Sequence, residues 1–136
     1  MNRREKREQA FLLLFEWMFK NENLEEIIES AQLAREIEID DFSRDTFNKT
    51  IENVEKIDSI IERNIVGWKK ERLSKVMVSA LRLSTSEMLY YEEDIPKSVS
   101  INEAVEIVKK YGTKEDASFV NGILSGVYKE LEKKNA

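Results

Sequence analysis

Cysteine and histidine are absent from the 136 residues, proline occurs once and glycine four times. Without cysteine there is no disulfide, no thiolate nucleophile and no cysteine zinc site, and the chain suits a reducing compartment. Without histidine it lacks the commonest general base and metal ligand. A serine–histidine dyad and the Glu-x-x-His di-iron site of helix bundles are therefore impossible. No β-branched run with a period of two occurs, and no glycine-rich phosphate loop follows a strand. The carboxylates that remain cluster at Glu25-Glu26-Glu29 and Glu92-Glu93-Asp94. They fall on polar helix faces or in a loop, where solvated surface is a better reading than an acid–base pair. The chain is expected not to be an enzyme and to need no cofactor or metal. A domain near this length buries roughly 68% of its unfolded surface, enough to fold without a staple.

What is present is charge and helical periodicity. Charged residues make up 36% of the chain, and the net charge is −5. That charge is sorted. Residues 1–8 carry Arg3, Arg4, Lys6 and Arg7 against two acids, residues 21–62 are net −9, and residues 63–82 are net +5. For a polyanion the local field matters more than the sum, although each segment also reads as an ordinary solvated helix face. The basic start and the apolar run from Ala10 to Phe19 mimic a signal peptide. Glu5, Glu8 and Glu16, with no small-residue cleavage site, oppose that, and the run is about half a bilayer span. A cytoplasmic protein with no membrane partner is expected.

The periodicity predicts six helices. The first covers about 3–20, with Ala10, Leu13, Leu14, Trp17 and Met18 as one stripe and Phe11, Phe15 and Phe19 as a second. Such a helix is central, or has a face covered by a partner. The second covers about 24–37. The third starts near Ser43 and runs unbroken through Phe47, Ile51, Val54, Ile57, Ile61 and Ile65 to a stop at Gly67. The fourth covers about 71–91. The fifth opens at Ser100 with Glu103 in a capping box and stops at Gly112. The sixth opens on Thr113 as N-cap, and Val120, Ile123, Leu124, Val127 and Leu131 face inward. The expected fold is all-α: one domain of two packed three-helix bundles, about 1–67 and 68–136.

Three local patterns carry chemistry. The basic stretch Asn2-Arg3-Arg4-Glu5-Lys6-Arg7 sits where the helix dipole disfavours it, and arginine pairs with phosphate in forked geometry. Trp68-Lys69-Lys70-Glu71-Arg72 sets an aromatic beside cations, as single-stranded nucleic acid requires, although Trp68 equally reads as a core residue after a glycine cap. In Phe119-Val120-Asn121-Gly122-Ile123-Leu124-Ser125-Gly126 the two glycines are four apart. Gly122, Gly126 and Asn121 read as a packing motif, and Phe119 reads either way.

Together Trp68…Arg72-Leu73, Ala80-Leu81-Arg82-Leu83, the run Ile95-Pro96 through Tyr111-Gly112 containing Ile101-Asn102-Glu103-Ala104-Val105-Glu106, and Phe119-Val120-Asn121-Gly122-Ile123-Leu124 resemble the NusB family in order and spacing. Phe15-Glu16-Trp17 fits as well, and the resemblance covers the whole chain. It implies two three-helix bundles in one domain. It also implies an RNA-binding transcription antitermination factor that binds single-stranded boxA RNA of ribosomal leader transcripts. The partner would be NusE, a ribosomal protein of the small subunit, and the complex would join elongating RNA polymerase with the other Nus factors. A homodimer occurs in some members. The family's RNA contacts fall here on Arg3, Arg4, Lys6 and Arg7, then on Ile65, Trp68, Lys69 and Arg72, then on Glu115 and Phe119. The NusE surface falls on Glu71 and Lys75. The pattern departs at Val76-Met77-Val78, Ser86-Glu87-Met88 and Ser125. The alternative is a purely protein-binding helical adaptor. The same module also resembles the RNA-recognition domain ahead of RNA cytosine methyltransferases, but this chain is expected to have no room for a cofactor-binding sheet. Alanine at Arg3, Arg4 and Arg7 together is expected to lower RNA affinity without lowering the melting temperature.

Overall fold

A computed structural model describes residues 1–20, 26, 29, 38–66 and 73–134. Among them are six helices: α1 (Arg3–Lys20), α2 (Asp41–Glu52), α3 (Val54–Arg63), α4 (Lys75–Tyr90), α5 (Lys97–Tyr111) and α6 (Lys114–Lys134). Glu26 and Glu29 are helical, but the rest of the expected second helix and the expected boundary near Gly67 lie outside the described residues.

α4 is the common partner of the other five, while α5 and α6 also pair with each other and α1 with α2. One apolar cluster runs through all six helices, from Phe11 and Leu14 through Phe47, Ile57 and Leu83 to Val108 and Leu124. The centre is thus α4 and not α1, whose second stripe runs out of the core: Phe11 is buried and Phe19 is 60% exposed. None of the described helices is long and apolar enough to cross a membrane.

The sixth predicted helix stands as read. Thr113 Oγ1 accepts from Asp116 N at 3.0 Å, satisfying a free donor of the first turn, and all five expected residues are buried. Four expectations are corrected. The expected third helix is two, because Asn53 (φ −117°, ψ 20°) leaves the helical region between α2 and α3 and donates its side-chain amide to Lys49 O. Its start is capped by Asp40, which accepts from Phe42 N, while Ser43 is buried with its hydroxyl on Lys6 O. Its end comes at Asn64, whose amide donates to Ile60 O at 2.9 Å, before Gly67 is reached. Finally, α5 opens at Lys97 after Pro96, and the expected capping box does not form. Ser100 lies inside the helix against the Ser84 hydroxyl at 3.0 Å, and Glu103 faces Arg4 and Arg7.

Candidate nucleic-acid interface

The basic stretch is the first two turns of α1. Asn2 caps it, its side-chain oxygen accepting from Glu5 N at 2.8 Å, so these side chains project from a fixed frame. Helical spacing then sends them in different directions. Arg3 lies over the Phe42 ring, 4.3 Å from its centroid. Phe42 in turn packs on Tyr91, whose hydroxyl is pushed up to about 12 by burial and the Asp45 carboxylate it bonds. Arg4 is 71% exposed and reaches Glu103 on α5 at 3.1 Å. Lys6 is 3.7 Å from Asp40.

Arg7 departs from the reading of a solvent-facing arm. Its side chain is 3% exposed and forks onto Glu87 of α4, Nε to Oε2 at 2.8 Å and a terminal nitrogen to Oε1 at 2.9 Å. Glu103 stands 3.7 Å away as a second carboxylate. Burial pushes the Glu87 carboxyl up, and Arg7 partly offsets this. A buried charge needs such a partner, so Arg7 ties α1 to α4 and has no face left for phosphate.

Elsewhere the chain leaving α3 meets the start of α6. Asn64, Val66, Met77, Glu115, Phe119 and Gly122 line a cleft of about 520 Å³. Ile65 and Phe119 are half-buried against the core, and Val66 is 84% exposed. The structure therefore brings Glu115 and Phe119 beside the Ile65 segment. Trp68, Lys69, Arg72 and Glu71 lie outside the described residues. Lys75 is exposed at the start of α4, 5.1 Å from the centre of the Phe19 ring.

The packing reading of the α6 motif holds for Gly126 alone. A Cβ there would lie 2.6 Å from Asn64 Oδ1 and 3.3 Å from Asn64 Cβ, so the glycine lets the end of α3 approach α6. Gly122 and Asn121 are exposed, and a Cβ on Gly122 would meet nothing within 4 Å. Sequence reasoning missed the groove beyond them, where Arg4 of α1, Asn102 and Lys109 of α5 and Asn121 of α6 line about 580 Å³. Asn102, Lys109 and Asn121 lie in the motif-bearing helices and off their buried stripes, but helical spacing does not say which outward faces of two helices line one groove. Among the described residues, no three metal-ligating side chains converge.

The family model described as "NusB family" matches residues 4–129, nearly the whole chain and both ends of this surface. The chain belongs to the NusB family. A transcription antitermination protein NusB from Clostridium botulinum (strain Loch Maree / Type A3) is 45% identical, over 91% of this chain and 97% of that protein. One from Clostridium perfringens (strain 13 / Type A) is 40% identical, over 97% of this chain and all of that protein. Among solved structures, T. maritima NusB superposes with a TM-score of 0.82 at 38% identity, covering 96% of this chain and 92% of that one. A chain from a crystal structure of antitermination factors NusB and NusE in complex with dsRNA superposes with a TM-score of 0.81. It is 32% identical, over 96% of this chain and 99% of that one.

Proposed function

We propose that this chain is an RNA-binding transcription antitermination factor. It binds the boxA element of ribosomal leader transcripts together with NusE and joins the elongating RNA polymerase complex in the cytoplasm. The observation that carries this is the end-to-end match to antitermination proteins, one solved with NusE and RNA. It coincides with an exposed cationic helix start on one side and an aromatic-floored cleft on the other. The work is positional rather than catalytic, since affinity and placement on RNA require no bond to be made or broken.

In this reading Arg3, Arg4 and Lys6 meet phosphates. Glu115 and Phe119 receive a base beside Ile65, with Trp68, Lys69 and Arg72 adding the stack and charge that the family resemblance implies. Glu71 and Lys75 face NusE. Arg3, Arg4 and Lys6 are already held by Phe42, Glu103 and Asp40, so RNA must compete with those contacts. Binding by the chain alone is accordingly weak, and NusE supplies the rest.

The test is fluorescence anisotropy of a labelled single-stranded boxA RNA, with and without NusE, at two salt concentrations and against a scrambled RNA. Preference for boxA that tightens with NusE is expected. The salt slope should be roughly −0.7 per phosphate contact. Equal, weak binding to both RNAs, unchanged by NusE, would put the protein-binding adaptor in its place.

A further inference from the structure

We propose that the groove between α5 and α6 carries the RNA between the two ends of that interface. Asn102 and Asn121 would read base edges in the groove, and Gly122 would leave room for the strand to pass over α6. The inference rests on the RNA reading above and adds to it a path and two base-reading residues.

Three features of the groove point the same way. First, it adjoins both ends: Arg4 is part of its wall, and Asn121 is followed in α6 by Gly122, which lines the Phe119 cleft. A strand touching Arg4 and Phe119 can cross here. Second, its charges are already matched. Arg4 is 3.1 Å from Glu103 and Lys109 is 3.3 Å from Glu106, so the groove is close to neutral and, apart from the Arg4 contact that RNA must win from Glu103, gives a phosphate little attraction. What it offers instead is two exposed amides, each with both donors and an acceptor, beside exposed Val99. Amide side chains are suited to the hydrogen-bonding edges of unstacked bases. Third, Gly122 has no reason inside the chain. A glycine in mid-helix costs stability, and Gly126 recovers that cost by admitting Asn64. At Gly122 a Cβ would meet nothing, so alanine would be the better residue for the fold. A backbone laid bare between two clefts is what close approach of a ligand requires.

The experiment uses the full chain and the labelled single-stranded boxA RNA, with melting temperature read alongside. Asn121→Ala and Asn102→Ala should each weaken binding about tenfold and narrow the preference for boxA over scrambled RNA, at unchanged melting temperature. Because neutral amides release no counterions, the slope of log affinity against log salt should stay as in the wild type. Arg4→Ala should flatten that slope by about 0.7. Gly122→Ala should melt higher and bind more weakly, a combination that a purely structural glycine would not give. Asparagine and glycine variants that bind like the wild type, while Arg4→Ala binds more weakly, overturn the groove path and leave the RNA reading standing. Weakening seen only when NusE is present assigns the groove to the protein partner and also overturns it. A wild-type chain that does not prefer boxA overturns both.

Discussion

Arg4 and Arg7 lie three residues apart in the first turns of α1, and Gly122 and Gly126 lie four apart in the middle of α6. In each pair one residue faces solvent and the other is committed inside. Arg4 is 71% exposed and Arg7 3%, while Gly126 admits Asn64 and Gly122 admits nothing. One pair member therefore belongs to the fold's stability, and the other faces outward where a ligand can reach it. The two regions also differ. In α1 the inward residue is a charge that must be matched by Glu87. In α6 it is an absence of side chain that must not be filled.

The largest expected effect comes from breaking the inward side of α1. Arg7→Ala leaves Glu87 buried without its partner and should cost about 3–5 kcal/mol in denaturant unfolding. The Glu87 carboxyl is already pushed up by burial, and losing Arg7 raises it further. A folded-state value above the unfolded one gives stability at low pH that is lost as pH rises through it. The deficit of Arg7→Ala should accordingly be greatest near neutral pH and shrink in acid. For the same reason the Arg3, Arg4, Arg7 triple variant should melt lower than the wild type, which replaces the unchanged melting temperature expected from the sequence. Arg3→Ala with Arg4→Ala, leaving Arg7, is the combination that should weaken boxA binding in anisotropy and spare the fold.

The α6 pair should give smaller effects of opposite sign. Gly126→Ala presses on Asn64, which also donates to Ile60 O and Glu130, and should be destabilising by about 1 kcal/mol after the helix-propensity gain. Gly122→Ala should stabilise by about 0.5–1 kcal/mol. Equal shifts from the two in thermal melts would erase the distinction between them.

Smallest is the ion pair on the surface beside Gly126, where Arg63 forks onto Glu130 at 2.7 and 3.2 Å. The Arg63 bond holds the Glu130 carboxyl below its ordinary value of 4.5. A depressed carboxyl contributes stability that is complete above the unfolded value and lost as pH falls through the folded one. Glu130→Gln should melt slightly lower than the wild type at neutral pH, and the gap should close in acid. The deficit narrows in acid as it does for Arg7→Ala, but here the group is a carboxyl held below its ordinary value and there it is one pushed above it.

How much could be read in advance follows the same division. The start and inward stripe of α6 were legible because its cap, apolar residues and acidic first turn are all local and agree. The α2–α3 break was not, because the apolar spacing runs on across Asn53 while the backbone turns there. Ser100 and Glu103 imitate a capping box at the right spacing, but their partners, Ser84 and the two arginines, arrive from other helices. Arg7 looked like the rest of the basic stretch for the same reason, since Glu87 is eighty residues away.

By itself the sequence determined an all-helical chain without thiol or imidazole chemistry, the inward stripes of its helices, and a family pattern spread along its length. Those properties depend on residue type and on spacings of three or four, which a helix imposes locally. Tertiary structure alone decided which arginine is buried and which glycine is packed. It also decided that α4 is the centre and that α1, α5 and α6 share a groove with outward amides. Each of these depends on which surface meets which, and residues one helical turn apart carry no record of that.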